Sequence, residues 1–262
     1  MLLCAVGYVY GVTQLDDIVY VVRQSSSTIA RFNTTTHQRL TDIRVTGMSR
    51  PWDIAACASP AWLYVVDMAA KCVWRVSSDG ADIQRWLTSS RSDTFTPWAL
   101  SVTSSRLLVT SYSASQLRQF DTAGGDELRR VGLPRYMYPE HAMESPTGTF
   151  IVADNNTQLR QWQVSEVNTE GQVLRQFSGS LGWPPRIAID SQGHILVADW
   201  NNRRILLLDA QLALRRVILD EHQLNDKRPR RLCYVEQSGQ LLVGLFGLGG
   251  GNSVAVFDVL QR

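Results

Sequence analysis

Histidine and cysteine are both rare in this chain: His37, His141, His194 and His222 are its only histidines, and Cys4, Cys57, Cys72 and Cys233 its only cysteines. None of the cysteines stands in a CxxC pair, which excludes a zinc ribbon and a thioredoxin-like redox motif. Their scatter points to a reducing, cytosolic setting rather than a disulfide framework. No apolar run approaches the ~18–20 residues of a membrane helix. The apolar start, Met1 to Tyr10, lacks the basic leader and the length of a signal peptide, and reads as a strand. No segment sustains a 3.6-residue apolar period, so helical bundles and helical solenoids are excluded. GxSxG, Walker and HExxH motifs are missing too, which removes the commonest signatures of hydrolases, nucleotide enzymes and zinc proteases. A net charge of +2 gives no overall field for nucleic acid, so any electrostatic recognition must come from how the charges are distributed.

What the chain does contain is a repeat. A short β-rich run recurs as IVYVVR ending at Arg23, LYVVD at Asp67, RLLVTS at Ser111, TFIVAD at Asp154, HILVAD at Asp199 and QLLVGL at Leu245. The successive offsets are 44, 44, 43, 45 and 46 residues. A proline stands 14–16 residues ahead of five of these anchors, at Pro51, Pro97, Pro139, Pro185 and Pro229, and Tyr8 takes its place in the first copy. A second run follows each anchor (TIARF, CVWRV, LRQF, LRQWQV, RILLLD, SVAVFD), and a third closes most copies, as in DIQRWL and ALRRVIL. Four strands, a to d, in each repeat of ~40–45 residues define the blades of a propeller. The expected architecture is all-β: one six-bladed propeller over residues 1–262, with blades near 7–47, 48–90, 91–132, 133–179, 180–222 and 223–262 plus 1–6.

The sixth copy stops after SVAVFD and lacks strand d, whereas Met1 to Val6 is surplus. The N-terminal run is therefore expected to supply the missing outer strand and close the ring. This layout sets Cys57 and Cys72 two strands apart, ~9.6 Å, and Cys233 and Cys4 three apart, ~14 Å. Both separations exceed the Cα limit of about 7 Å for a bridge, so four free thiols are expected.

The blade Val197 to Asp209, VADWNNRRILLLD, resembles the NHL repeat, whose pattern runs V-A-D, two variable residues, Asn-His-Arg-Ile or Asn-His-Leu and an apolar strand. Asn202, Arg203, Arg204 and Ile205 fall on those places, with arginine where the histidine would be. Blades 4 and 2 match in part, through Ile151 to Asp154 and Tyr64 to Asp67, while blades 1, 3 and 6 keep only the spacing and strand pattern. The resemblance implies a propeller of the kind found as RNA- or protein-binding domains of TRIM-type ubiquitin ligases, in bacterial sensors and in some lyases. No RING, B-box or coiled-coil segment accompanies it here, so ligase activity is not expected of this chain alone. The repeated Asp67, Asp154 and Asp199 are expected to close strand b by accepting backbone hydrogen bonds at the turn, rather than to act chemically.

Antiparallel alternation sorts the loops onto two faces. Segments entering strand a and the b–c turns share a top face, and the a–b and c–d turns share the bottom. The top collects Arg50, Trp52, Trp98, Arg135, Tyr136, Tyr138, Trp183, Arg186, Lys227, Arg228, Arg230 and Arg231, joined by Lys71, Tyr112, Trp200 and Arg203. The bottom collects Asp16, Asp17, Asp79, Asp121, Asp126, Glu127, Glu166, Glu170, Asp190 and Asp209. Guanidinium forks and aromatic planes suit single-stranded RNA, or an acidic peptide with an apolar anchor. The expected function is thus a non-catalytic, monomeric recognition module that binds a protein or single-stranded RNA, with no membrane association and no cofactor. Its candidate partner-binding residues are Arg50, Trp52, Trp98, Arg135, Tyr138, Arg186, Trp200, Arg203, Arg228, Arg230 and Arg231. The enlarged sixth b–c turn, Leu245 to Asn252, is a glycine-rich rim loop on the same face. The alternative is a metal-dependent lyase or lactonase-type hydrolase, for which Asp53, Glu140 and His141 are the candidate ligands at the channel mouth.

Overall fold

The computed structural model describes residues 2–4, 7–89, 94–177, 179–182, 184–247 and 251–259, and of residues 2–4 the backbone alone. Residues 2–4 form β1 (Leu2–Cys4). Blade 1 holds β2 (Val9–Leu15), β3 (Ile18–Arg23), β4 (Thr28–Asn33) and β5 (Arg39–Arg44). Blade 2 holds β6 (Pro51–Ala58), β7 (Ala61–Asp67), β8 (Cys72–Ser77) and β9 (Ile83–Thr88), and blade 3 holds β10 (Ala99–Thr103), β11 (Arg106–Ser111), β12 (Gln116–Asp121) and β13 (Glu127–Gly132). Blade 4 comprises β14 (Met137–Glu144), β15 (Phe150–Asn156), β16 (Gln161–Val167) and β17 (Val173–Gln176), and blade 5 comprises β18 (Arg186–Ile189), β19 (Ile195–Asp199), β20 (Arg204–Leu208) and β21 (Leu214–Leu219). Blade 6 is built from β22 (Arg228–Val235), β23 (Gln240–Phe246) and β24 (Ser253–Asp258). Each blade is a four-stranded antiparallel sheet, and the sixth is completed by β1. The fold is a six-bladed β-propeller. Among the described residues no helix is long and apolar enough to cross a membrane.

The strand b runs read as unbroken apolar stretches because both of their faces are buried. In β3, Val19 and Val21 pack toward blade 6, while Tyr20 and Val22 pack toward blade 2. The same division recurs around the ring and yields six hydrophobic clusters, one at each blade–blade interface. The outer strands, by contrast, are mostly exposed, as in β13 and β21.

Closure follows the expectation from the sequence. Leu2, Leu3 and Cys4 pair antiparallel with Ala255, Val254 and Ser253, so the first strand of the chain is the outer strand of the last blade. Cys57, Cys72 and Cys233 are free; the side chain of Cys4 lies outside the described residues. Blade 4 departs from the repeat in one respect. Its strand b runs on two residues past the anchor, with Asn155 and Asn156 paired to Trp162 and Gln161, so Asp154 lies inside the strand instead of ending it.

Removal of residues 1–4 is expected to lower the melting temperature by roughly 5–15 °C, the effect of about 2–4 kcal/mol on a domain of this size. Differential scanning calorimetry of the truncated chain checks this, and an unchanged transition contradicts closure by β1.

Candidate functional site

The top of each inner strand follows one local rule. Pro51, Pro97, Pro139, Pro185 and Pro229 are all buried at the strand entrance, where a residue without an N–H leaves no donor unsatisfied. Immediately after the proline, register shifts leave Trp52, Glu140 and Arg230 unpaired, and Tyr10 holds the same place in blade 1. Such a bulge turns its side chain away from the ladder, here Tyr10, Trp52 and Arg230 onto the top rim and Glu140 into the mouth. Trp98 follows Pro97 and fills the corresponding place in blade 3. Blade 5 has no such residue: Arg186 comes directly after Pro185 and pairs with Ala198.

One step further in, Gly11, Asp53, Ala99, His141, Arg186 and Arg231 occupy equivalent ladder positions and ring the mouth of the channel. The ring is tight. A Cβ on Gly11 would lie 2.8 Å from the Ile54 nitrogen and 2.9 Å from Val22 Cγ2, so only glycine fits there. Arg231 of blade 6 reaches past blade 1 to Asp53 of blade 2, with a 2.8 Å ion pair. Arg231 also donates to the carbonyls of Tyr10 and Trp52. Asp53 accepts from the backbone N–H of Leu100 at 2.9 Å and of Ile54 at 2.8 Å. Across the mouth, Arg186 pairs with Glu140 at 3.1 Å and donates to its carbonyl, and Trp98 Nε1 donates to the same carboxylate at 2.9 Å.

Burial sets the protonation states of this plug. Desolvation pushes Asp53 above the usual carboxylate range, against the pull of Arg231 and Arg186. Desolvation and the neighbouring Arg186 bring Arg231 down to about 9. His141 is held far below its ordinary range by burial and by the positive charges of Arg231 and Arg186. It is therefore neutral. Its Nδ1 accepts from the Ile187 N–H at 3.4 Å, which places the ring proton on Nε2, 3.2 Å from the Leu100 carbonyl. Both ring nitrogens are thus occupied. Among the described residues no three His, Cys, Asp or Glu side chains come close enough to hold a metal ion. Asp53, Glu140 and His141 share the mouth, as the sequence reading placed them, but each is engaged with an arginine or with backbone instead of forming a ligand set.

Outside the plug runs a belt of rings. Tyr10 and Trp52 stack at 4.5 Å, Trp52 and Trp98 lie 5.0 Å apart, Trp98 and Tyr112 5.3 Å, and Tyr112 and Tyr138 5.1 Å. This arc crosses blades 1 to 4. On the other side Trp200 meets Phe246 at 5.3 Å, and Phe246 stacks on Tyr8 at 5.3 Å. Arg228 lies 4.8 Å over Trp200, and Arg230 lies 4.1 Å over Tyr10 and 5.4 Å from Trp52.

The candidate residues therefore separate. Trp52, Trp98, Tyr138, Arg228 and Arg230 come together on the rim, with Trp200 buried beneath Arg228. Arg50 and Arg135 are exposed farther out, and Arg203 pairs with Asp226 at 3.5 Å. Arg186 and Arg231 are corrected: they are 4% exposed and neutralised inside the mouth, so they are not surface donors. Trp183 and part of the Leu245–Asn252 loop lie outside the described residues. Sequence reasoning missed Tyr10, whose bulge position in blade 1 was hidden by the absence of the marker proline.

The repeated aspartates serve the turns in two of three blades. Asp67 accepts from the backbone of Ser49, Arg50 and Ala69, and Asp199 accepts from Gly182 N–H at 2.7 Å and from Arg204 at 2.8 Å. Asp154 is corrected. Asn156 takes the turn role by accepting from Gln158 and Leu159, while Asp154 faces Gln163 and Ser165 inside the protein. Burial pushes its carboxyl up to about 7.

No protein-family model and no curated protein matches the chain. Solved structures do resemble it. Hydrazine synthase of Kuenenia stuttgartiensis aligns with a TM-score of 0.67 at 12% identity, over 99% of this chain and 97% of that one. The virginiamycin B lyase of Staphylococcus aureus aligns with a TM-score of 0.65 at 12% identity, covering 97% and 85%. A chain of a nidogen/laminin complex aligns with a TM-score of 0.66 at 14% identity, covering 82% and 81%. At such identities the likeness is one of fold: enzymes and a matrix complex share this propeller.

Two outcomes test the site's physics. Arg231→Met, which strands Asp53, is expected to cost about 3–5 kcal/mol in urea unfolding, and the double change Asp53→Asn/Arg231→Met is expected to recover most of it. Asp154 holds its proton in the folded state far above the unfolded carboxylate range. Its favourable contribution is complete below about pH 4 and is lost as pH rises to about 7. Asp154→Asn is therefore expected to leave stability unchanged at pH 4 and raise it by about 2–4 kcal/mol at pH 8, again read by urea unfolding.

Proposed function

We propose that this chain is a non-catalytic, NHL-like recognition module whose top rim binds a protein partner carrying acidic and apolar anchors. The observation that carries the reading is the unbroken arc Tyr10–Trp52–Trp98–Tyr112–Tyr138, five half-buried rings spread over four blades. Tyrosine, tryptophan and arginine are the residues on which binding energy concentrates at protein interfaces, and the rigid rings of tyrosine and tryptophan offer large contact area at small cost in side-chain freedom. Bulges and buried prolines fix this arc on a rigid ring.

Protein is favoured over RNA by what the mouth does with its charges. A strand of RNA is tracked by cations that neutralise successive phosphates. Here Arg186 and Arg231 are spent on Glu140 and Asp53, and Asp226 neutralises Arg203. The rings touch one another instead of standing apart as separate platforms for bases. The lyase reading suggested by two of the fold neighbours lacks support from the side chains it needs, since His141 has no free ring nitrogen.

Affinity capture from cell extract tests the reading. Tyr112→Ala and Trp52→Ala/Trp98→Ala are expected to reduce retention of the partner at least tenfold, while raising salt from about 50 to 200 mM changes it less than about threefold. Calorimetry on the same variants confirms folding. Retention of random single-stranded RNA that collapses over this salt range, with no protein retained, overturns the proposal in favour of RNA.

A further inference from the structure

The stitching of the mouth has one open sector. Arg231 ties blade 6 to blades 1 and 2, and Asp53 ties blade 2 to blade 3 through the Leu100 N–H. His141 and Trp98 join blades 3 and 4, and Arg186 and His141 join blades 4 and 5. Among the described residues no hydrogen bond joins the blade 5 and blade 6 members of this ring. At that place three guanidinium groups, Arg186, Arg230 and Arg231, feel one another's charge against only two carboxylates, Asp53 and Glu140.

Arg230 is the cation left over. Among the described residues no carboxylate lies within ion-pair range of it; it lies over the Tyr10 ring, with the Trp52 ring 5.4 Å away. Aromatic faces hold a cation without neutralising it, and a guanidinium carries five N–H donors, more than Tyr10 can satisfy. Beside it, Arg228 stacks on Trp200 with a buried Nε that meets no acceptor, and the buried Nε1 of Trp52 also meets none. Blade 5 lacks the bulged residue that the other blades place after the proline. Arg228 and Arg230, both of β22, are thus two cations that no described carboxylate pairs.

We infer that one oxyanion, a carboxylate or a phosphate monoester, docks over the blade 5–blade 6 sector of the mouth on Arg230 and Arg228. This rests on the reading of the top rim as the binding surface and adds the charge its partner presents there. A forked guanidinium matches both oxyanions through paired N–H bonds.

The test titrates phenylacetate, phenyl phosphate and the neutral phenylacetamide into the whole chain at an ionic strength held constant with NaCl. Tryptophan fluorescence and melting temperature are the readouts. Saturable binding and a raised melting temperature are expected with at least one anion, and the tighter of the two identifies carboxylate or phosphate as the matched group. Arg230→Met is expected to weaken that binding at least tenfold while leaving the ligand-free melting temperature unchanged or raised, and Arg129→Met, on the exposed outer strand β13, is expected to leave binding intact. Equal response to phenylacetamide, absence of saturation with both anions, or undiminished affinity in Arg230→Met overturns the inference. If neither anion binds, or Arg230→Met binds as tightly as wild type, while Tyr112→Ala still abolishes partner capture, the oxyanion site falls and the wider proposal stands.

Discussion

The fold depends on burying both faces of every sheet. A four-stranded blade of this kind has no solvent-facing side: Val19 and Val21 of blade 1 serve one neighbour, Tyr20 and Val22 the other. Stacking in a line would always leave two blades with an open face, and bending the stack into a ring removes both. The sixth blade then needs an outer strand, and among the described residues the one strand without a blade of its own is β1.

Ring formation forces the inner strands together, and this convergence sets the chemistry of the mouth. At the ring position a side chain either vanishes, as at Gly11 and Ala99, or is long enough to find a partner on another blade. Charges admitted there are expensive to desolvate, so they stay only where they are paired and hydrogen-bonded. Asp53–Arg231 and Glu140–Arg186 are such pairs. The proposed recognition surface lies one residue outward, at the bulges, where the chain turns Tyr10, Trp52 and Arg230 onto the rim. In blades 1, 2 and 6 a single-residue offset separates what seals the molecule from what it displays, whereas in blade 4 the bulged Glu140 joins the seal.

Most of this architecture was legible in the sequence because it is carried by spacing. Anchors about one blade apart fixed the blade number, and the unfinished sixth copy together with the surplus start fixed the closure. Alternation of strand direction placed the aromatic residues on the top rim and the acidic turns, such as Asp121 to Glu127, on the bottom. What spacing does not carry is contact between residues distant in sequence. Nothing in the run Lys227 to Arg231 distinguishes Arg231, which dives toward Asp53, from Arg230, which stays on the rim; the register shift between Pro229 and Arg231 decides it. Asp154 was misread for a local reason. The pair Asn155–Asn156 extends β15 and carries the turn two residues on, so the same V-A-D letters that close strand b in blade 5 lie inside the strand in blade 4.

The proposed function requires the molecule to present one working face, the rim of bulged residues around a sealed mouth. A cross-linking footprint of the retained partner on the wild-type propeller tests it most directly. Contacts are expected to fall on the arc from Tyr10 through Trp52 and Trp98 to Tyr138 and on Arg228 and Arg230. A footprint confined to the opposite turns, around Asp121 to Glu127 and Asp209, contradicts it.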